Sequence, residues 1–266
     1  MNTVISSDGT TIAFDRKGEG PPLVLIDGAF GHRRFGPISE LAAALAPRFT
    51  VYTYDRRGRG DSTDTSPYAV DREIEDLEAL VKQAGGSAFV YGHSSGAALA
   101  LEAVTQGVPI TKLALYEAPY IVDDSRPPLP PDYQAHLGAL LADDRRGGAV
   151  KLFMKNPANV PPVIVTMMGL MGFLPFWSKL KAVAHTLPYD AAIMEHSDVG
   201  HPAVHGGDVT VPTLVMGGAK SPPWLRNAVN TVAHAIPAAQ QRTLPGQTHN
   251  VKASAVAPVL AEFLTT

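Results

Sequence analysis

Ser94 stands at the centre of residues 92–96, Gly-His-Ser-Ser-Gly, between the apolar run 88–91 and the small-residue segment 97–101. Glycines at both ends of such a pentapeptide allow a tight turn and let a strand and a helix approach closely. The pattern predicts a strand, a sharp turn and a helix, with the Ser94 hydroxyl exposed at the apex as a nucleophile. Many isolated Gly-x-Ser-x-Gly matches are plain turns, so the flanking segments carry the functional interpretation.

The chemistry that this serine could perform is acyl transfer. A serine hydroxyl is a poor nucleophile at neutral pH, so a base must accept its proton during attack. A third group normally orients that base, and N–H donors must face the oxygen on which negative charge develops. The elements around Ser94 therefore have to bring several distant residues to one place.

Strand-like and helix-like segments alternate on both sides of the Ser94 turn. This alternation is typical of a mostly parallel sheet with helices on its faces. The predicted strands are a hairpin around residues 8–9 and segments 23–26, 49–54, 88–91, 112–117, 212–216 and 240–244. The predicted helices contain residues 41–45, 70–84, the segment after 222–223, and 254–264.

The alternation stops between residues 119 and 208. This stretch opens with the proline-rich segment 126–131 and continues with helix-like segments at 133–141, 149–155 and 177–185. We expect residues 1–118 and 209–266 to form an α/β core, and residues 119–208 to form an inserted helical cap.

The amino-acid composition restricts the kinds of molecule that the protein is expected to bind. The chain has 266 residues, with 22 Lys and Arg against 25 Asp and Glu, so no strong field favours nucleic acid or an anionic membrane. A small-molecule substrate fits better, and no metal or organic cofactor is implied. The absence of cysteine excludes a disulfide framework, a thiolate metal site and a cysteine nucleophile. The composition leaves the oligomeric state open.

The sequence also bears on location. The first residues lack the basic stretch and apolar core of a signal peptide, which predicts a cytoplasmic protein. The most apolar stretch, residues 163–177, is shorter than the roughly 20 residues that span a bilayer, and glycine and proline interrupt it. We therefore expect no membrane span.

Three motifs in order resemble those of the α/β-hydrolase superfamily. The Ser94 turn is similar to the nucleophile turn after that fold's fifth strand. Residues 54–62, Tyr-Asp-Arg-Arg-Gly-Arg-Gly-Asp-Ser, are similar to the Asp-x-Arg-Gly-x-Gly-x-Ser loop after its fourth strand. Residues 245–249, Pro-Gly-Gln-Thr-His, lie where the family keeps its catalytic histidine. The resemblance covers nearly the whole chain and implies an α/β-hydrolase fold with a serine nucleophile.

The resemblance assigns His249 as the general base, the alternative being a histidine in a surface loop. The usual acid position, in the loop after strand 213–216, holds Ser221, which cannot serve as an anion. Some members of the superfamily place the acid at the end of the sixth strand instead, and Glu117 matches that location. The chain order Ser94, Glu117, His249 preserves the order nucleophile, acid, histidine.

The alternative for Glu117 is a strand-end glutamate that is solvated or paired with an arginine such as Arg57. Burying a carboxylate at the end of an apolar strand is costly without a partner, which favours the functional interpretation. Asp123 and Asp124 are the next candidates for the acid.

The family geometry assigns the oxyanion hole to main-chain N–H groups. Ser95 would supply one donor, and Ala29 or else Phe30 the other. The loop that carries Ala29 begins Asp27-Gly28 where the family usually has His-Gly. We expect the Asp27 carboxylate to point away from the oxyanion hole or to be paired. We expect the charges of the loop at residues 55–59 to be structural, tying that loop to its neighbours.

Apolar side chains of the cap predict an adaptable pocket for an apolar acyl or aromatic substrate. For any single residue the alternative is packing of the cap onto the core, and for Trp224 it is anchoring of its helix. The expected pocket residues are Met167, Met171, Phe173, Trp177, Met194 and Trp224.

Three functions remain in view. The first is a serine hydrolase, specifically a carboxylesterase that acts on a small or medium apolar ester through an acyl-serine. The second uses the same site for a lyase, cyclase, C–C hydrolase or acyltransferase step in a biosynthetic pathway. The third is a non-catalytic binding protein on a hydrolase scaffold, because a fold alone never establishes activity.

Overall fold

The protein was analysed as a computed structural model that describes residues 1–170, 175–197, 208–237 and 239–266. Its centre is an eight-stranded sheet with the strand order β1-β2-β4-β3-β5-β6-β7-β8. The strands are β1 (Asn2–Ile5), β2 (Thr11–Lys17), β3 (Pro22–Ile26), β4 (Thr50–Tyr54), β5 (Ala88–His93), β6 (Ile110–Tyr116), β7 (Thr213–Gly218) and β8 (Gln240–Leu244). β2 runs antiparallel to β1 and β4, and the other neighbours are parallel. The predicted α/β-hydrolase fold class is confirmed.

Helices cover the two faces of this sheet. The helices outside the region between β6 and β7 are α1 (Ile38–Leu45), α2 (Val70–Gln83), α3 (Ser95–Thr105), α9 (Pro223–Ala235) and α10 (Ala253–Thr265). α2, α3 and α9 pack with one face of the sheet in one apolar cluster, and α1 and α10 pack with the other face in a second. Successive residues of β3 alternate between the clusters, because side chains along a strand point to opposite faces.

Burial on both faces explains the continuous apolar runs of the central strands. Leu23, Val24, Leu25 and Ile26 of β3 are fully buried, as expected for a parallel strand covered by helices. The helical spacing in residues 70–84 is likewise accounted for, because α2 buries Val70, Ile74, Leu77, Leu80 and Val81 on one face.

In the described part of the chain, every regular element between β6 and β7 is a helix. These helices are α4 (Tyr133–Ala142), α5 (Arg146–Lys155), α6 (Pro162–Leu170), α7 (Pro175–Ala182), a 3-10 helix (Ala184–Thr186) and α8 (Leu187–Ser197). A third apolar cluster joins this region to Phe30 of the loop after β3. This contact places the helical region over one part of the predicted site.

The prediction missed two of these helices and extended a third. α6 is apolar almost throughout and α8 mixes apolar and polar residues on all sides, so neither shows the one-sided pattern that identifies a surface helix. The segment predicted as one helix at 177–185 is α7 followed by the 3-10 helix. No described helix is both long enough and apolar enough to cross a bilayer.

Candidate active site

Ser94 occupies a strained turn between β5 and α3. Its backbone angles, φ 57° and ψ −128°, lie outside the regions that non-glycine residues ordinarily adopt. A Cβ atom at Gly92 would lie 2.4 Å from the Gly96 carbonyl oxygen, and one at Gly96 would lie 2.7 Å from the carbonyl oxygens of Ile26 and Asp27. Both positions therefore require glycine by close approach, and the predicted strand, turn and helix are present.

Ser94, His249 and Glu117 form one hydrogen-bonded chain. The Ser94 Oγ lies 3.1 Å from His249 Nε2, and His249 Nδ1 lies 2.9 Å from Glu117 Oε2. Ser94 follows β5, Glu117 follows β6, and His249 lies in the loop between β8 and α10. The three residues meet because these strands are parallel and end at the same edge of the sheet.

Glu117 is a buried carboxylate with several donors. Its side chain is fully buried, and Oε1 accepts a hydrogen bond of 2.7 Å from the Gly218 N–H. Burial raises the pKa of this carboxyl, but the hydrogen bond from His249, the nearby Ser221 hydroxyl and the Gly218 N–H outweigh that effect and hold the pKa below its ordinary value. Glu117 is therefore ionised at neutral pH.

Ser221 occupies the position where the resemblance expects the acid, and its buried hydroxyl lies beside the Glu117 carboxylate. Among the described residues this hydroxyl has no well-aligned hydrogen-bond partner, but it is close enough to lower the pKa of Glu117. The loop after β7 thus supports the carboxylate that it does not supply. The alternative pairing of Glu117 with Arg57 does not occur, because Arg57 binds Asp76 and Asp8.

His249 is placed to act as a neutral base. Desolvation lowers its pKa, the Glu117 carboxylate raises it, the neighbouring His93 lowers it, and the net pKa is below the ordinary value. With a proton on Nδ1 donated to Glu117, the Nε2 lone pair faces the Ser94 hydroxyl. The His249 side chain keeps 33% of its surface exposed, so the imidazole is open to a ligand.

A second histidine and carboxylate lie behind this chain, and sequence reasoning missed the histidine. The buried His93 donates from Nε2 to the His249 carbonyl oxygen at 3.0 Å, and its Nδ1 lies 3.7 Å from Asp27 Oδ1. Burial lowers the pKa of His93, but Asp27 more than offsets that effect, and the pKa is raised. His93 thereby ties the backbone of His249 to the Ser94 turn.

The Asp27 carboxylate contacts the glycines of its own loop and lies beside His93. Its Oδ1 accepts a hydrogen bond of 2.9 Å from the Gly28 N–H, and its carboxyl group packs against the α-carbons of Gly31 and Gly36. This arrangement agrees with the expectation that the carboxylate would be directed away or paired.

The loop after β3 brings the expected oxyanion donors against the nucleophile. A Cβ atom at Gly28 would lie 2.7 Å from Ser94 Cβ, so the two backbones are in contact. Among the described residues, no hydrogen bond takes up the N–H of Ala29 or of Phe30, whose φ is 64°. The N–H of Ser95, the first residue of α3, has no acceptor within that helix. These N–H groups are available to an incoming oxygen.

The arginines of the loop after β4 are fully buried in ion pairs. Arg57 forms two hydrogen bonds of 2.8 Å with Asp76, and Arg56 forms two with Glu73, at 2.8 and 3.0 Å. Arg56 and Arg59 also bind Asp190 of α8. The expectation that these charges tie the loop to its neighbours is supported by these contacts.

The expected pocket residues have different surroundings. Trp177 is buried in the cluster that contains Phe30, and Met194 packs against the cluster of α2, α3 and α9. Trp224 is buried, with the Arg126 guanidinium 4.4 Å from its ring centroid. Met167 is 57% exposed. Met171 and Phe173 lie outside the described residues.

In the described part of the chain, no three His, Asp or Glu side chains are grouped as a metal ion would require.

Comparison with known proteins places the chain in a family. The profile of the alpha/beta hydrolase family matches residues 23–259. An alpha/beta hydrolase from Sphaerobacter thermophilus DSM 20745 is 55% identical, superposes with a TM-score of 0.92, and the match covers 99% of this chain and 100% of that one.

Two curated proteins match over shorter segments. The uncharacterized hydrolase YraK of Bacillus subtilis (strain 168) is 32% identical over 105 residues, 38% of each chain. A proline iminopeptidase of Saccharolobus solfataricus (strain ATCC 35092 / DSM 1617 / JCM 11322 / P2) is 33% identical over 123 residues, which are 41% of this chain and 38% of that protein. These matches span well under half of the curated relatives.

Proposed function

The chain belongs to the alpha/beta hydrolase family, and from that premise we propose that it is a serine hydrolase that cleaves a small or medium apolar carboxylic ester through an acyl-serine at Ser94. One observation carries the proposal: Ser94 Oγ, His249 and Glu117 are linked by contacts of 3.1 and 2.9 Å. Those distances are in the range that nucleophile, base and orienting acid require.

Acylation begins when the Ser94 oxygen attacks the ester carbonyl carbon and His249 Nε2 accepts the hydroxyl proton. The carbonyl oxygen becomes an oxyanion that accepts hydrogen bonds from the N–H groups of Ser95 and of Ala29 or Phe30. The intermediate collapses, the bond to the alcohol oxygen breaks, and His249 returns its proton to the leaving alcohol. A water molecule then repeats the sequence on the acyl-serine and releases the carboxylic acid.

Glu117 supports both steps through charge and orientation. Its lowered pKa keeps it ionised, so it stabilises the imidazolium that forms on His249. Its hydrogen bond to Nδ1 also keeps Nε2 directed at Ser94. A glutamine at this position would retain the size of the side chain but not the charge.

Residues 119–208 serve as the cap in this proposal, and residues 1–118 and 209–266 as the core. Phe30 of the oxyanion loop packs edge-on against Phe153 of α5 with ring centroids 5.2 Å apart, and Trp177 joins the same cluster. Aromatic and methionine side chains near the oxyanion loop suit an apolar acyl group.

A fluorophosphonate probe tests the nucleophile. We expect it to label Ser94, to abolish hydrolysis of p-nitrophenyl esters with two- to eight-carbon acyl chains, and to leave Ser94→Ala unlabelled and inactive. The exposed Ser125→Ala is the matched control and should behave as the wild type. Failure to label Ser94 at high probe concentration would contradict the proposal. Labelling without turnover of any ester would keep the nucleophile and favour acyl transfer or C–C cleavage instead.

A further inference from the structure

Asp190 of α8 is a buried carboxylate that three core groups share. Its Oδ1 accepts hydrogen bonds from Arg56 Nη1 and Ser95 Oγ, and its Oδ2 accepts one from Arg59 Nη2, all at 2.7 Å. The side chains of both arginines and of Asp190 are at most 3% exposed. One cap residue therefore contacts the loop after β4 and the residue that follows the nucleophile.

The charges of this cluster balance within the protein. Arg56 pairs with Glu73 as well as with Asp190, and Arg59 pairs with Asp190. Two cations and two anions thus neutralise one another out of contact with water, which is the condition under which buried ions are tolerated. The geometry of each group is accordingly tightly constrained.

Arg59 links this ion-pair cluster to the loop after β3, which contains the expected oxyanion donor Ala29. Its Nη1 donates to the Gly28 carbonyl oxygen at 2.7 Å and to the Gly31 carbonyl oxygen at 3.4 Å, while its Nε donates to Thr186 Oγ1 at 3.0 Å. The Gly31 N–H also donates to the Gly28 carbonyl. Two donors thus hold the orientation of one peptide group.

That peptide group contains the expected oxyanion donor. In a trans peptide the C=O and the following N–H point in opposite directions. With the Gly28 carbonyl held toward Arg59, the Ala29 N–H must point the other way, from a backbone already in contact with Ser94. The second expected donor, Ser95, is held in place by its own hydroxyl on Asp190.

We propose that Arg59 is a positioning residue that orients the Ala29 N–H for the oxyanion, and that Asp190 and Thr186 of the cap hold Arg59 in place. This inference rests on the proposed function of Ser94. It makes one end of the cap a structural part of the oxyanion hole in addition to a cover for the substrate.

Two variants test the proposal, Arg59→Lys and Thr186→Val. In Arg59 three separate nitrogens, Nη1, Nη2 and Nε, bind the Gly28 carbonyl, Asp190 and Thr186. Lysine cannot contact all three, because its N–H donors all belong to one nitrogen. Valine has nearly the shape of threonine and removes the hydroxyl that accepts from Arg59 Nε and donates to the Val183 carbonyl oxygen. Because losing one oxyanion donor costs about 100- to 1000-fold in kcat, we expect a misoriented donor to cost roughly 10- to 100-fold in Arg59→Lys and a few-fold in Thr186→Val. The exposed Arg48→Lys is the matched control.

The readout separates positioning from folding. Each rate is divided by the concentration of active sites, which is titrated with the fluorophosphonate, so unfolded protein does not affect the value of kcat. We expect KM to change less than about threefold, and the affinity for a trifluoromethyl ketone, which forms a tetrahedral adduct on Ser94, to fall by the same factor as kcat. A lower melting temperature with unchanged kcat for each titrated site would overturn the proposal.

Crystal structures of both variants give a second readout that does not depend on turnover. A Gly28–Ala29 peptide that keeps its orientation in Arg59→Lys and in Thr186→Val would overturn the inference, even if wild-type Ser94 is labelled. A reoriented peptide would support it. Failure of the proposed function is recognised separately, as absent labelling of wild-type Ser94. Should Arg59→Lys not fold, Thr186→Val decides by the same criteria.

Discussion

At the scale of single residues, the unusual feature is the origin of the carboxylate. Glu117 directly follows β6, and its charge is stabilised by the N–H of Gly218, the last residue of β7, and by the hydroxyl of Ser221 in the loop after β7. The two groups of residues meet because the ends of β6 and β7 lie side by side at one edge of the sheet.

Replacing Glu117 tests its charge. We expect Glu117→Gln to lower kcat/KM for ester hydrolysis by about 100- to 10,000-fold, because a neutral amide neither stabilises the imidazolium nor enforces the right tautomer. Steady-state kinetics beside Asp123→Asn, the next candidate acid from the sequence, provides the comparison. Full activity in Glu117→Gln would move the acid elsewhere.

Ser221 offers a rescue of that loss. Its buried hydroxyl faces Glu117 from the family's usual acid position. In the double variant Glu117→Gln, Ser221→Asp, we expect the new carboxylate to restore at least about tenfold of the lost kcat/KM. Ser221→Asp in the wild-type background should instead lower activity, because two carboxylates would then share a buried site. No gain over Glu117→Gln alone would show that this loop cannot reach His249.

The pH dependence follows from the lowered pKa of His249. The base must be neutral, so kcat/KM should be constant at high pH and decline as pH falls through the pKa of His249, with a midpoint below 6.5. His93 lowers that pKa by its charge. We therefore expect His93→Gln, which can still donate to the His249 carbonyl, to move the midpoint to higher pH. The exposed His136→Gln should not move it. A midpoint unchanged in His93→Gln would contradict the coupling.

At the scale of elements, the turn at Ser94 depends on the close contact between α3 and the end of β3. A methyl group at Gly96 would lie 2.7 Å from two backbone carbonyl oxygens, and backbone cannot move aside as a flexible side chain can. The helix would have to shift away from the strand and carry Ser95 with it. The turn is therefore as sensitive to packing as to the identity of the serine.

We expect Gly96→Ala to lower the free energy of unfolding by about 1–3 kcal/mol, the usual cost of overpacking a core, and to reduce kcat as well. Gly138→Ala is the matched control, since Gly138 lies exposed within α4 and no atom is within 4 Å of its added Cβ. That substitution should raise the free energy of unfolding by about 0.5–1 kcal/mol through helix propensity. Urea unfolding measures both, and an equal effect of the two would contradict the packing argument.

At the scale of the whole molecule, buried ion pairs join segments that are far apart in the chain. Asp190 lies 134 positions from Arg56 and 131 from Arg59, and it connects the helical region after β6 to the sheet. α8 covers these ion pairs and excludes water from them. The attachment of the helical region to the core is thereby electrostatic as well as apolar.

We expect Asp190→Asn to lower the free energy of unfolding by about 3–5 kcal/mol, because it leaves two buried arginines without their shared anion. The loss should vary little with salt, since buried pairs are weakly screened. Glu78→Gln, which breaks the exposed pair with Lys82 on α2, should cost about 0.5 kcal/mol or less and less still at high salt. Denaturant unfolding at two salt concentrations compares them. Equal losses would show that the Asp190 network is not buried in solution.

Much of the fold was predictable because its signals are local. Apolar runs bounded by turns gave the strands, and helical spacing gave α2, since each pattern reflects the neighbours that a short segment must meet. The helices α6 and α8 were missed for the same reason. α6 is apolar almost throughout although Val163, Ile164 and Met167 are exposed, and α8 mixes apolar and polar residues, so neither sequence shows a one-sided pattern.

The same distinction between local and long-range signals applies to the candidate site. The resemblance to the family's motifs, together with chain order, selected Ser94, Glu117 and His249, and the topology brings them together because it gathers the ends of parallel strands at one edge. The sequence alone could not pair His93 with Asp27 or Arg59 with Asp190. The partners in a buried ion pair are far apart in the sequence, so no local sequence pattern predicts them. A charged residue is therefore predicted to lie at the surface unless its partner is known.

By itself, then, the sequence determined the sheet and the strained turn at Ser94, since these depend on short-range patterns, and its family motifs indicated the three residues that could act together. Only the tertiary structure decided what supports them. It put Ser221 beside Glu117, His93 behind His249, and the Asp190 carboxylate against Ser95 and Arg59. Those contacts arise from packing between distant segments, and they determine the energetics of a site whose members the sequence had already indicated.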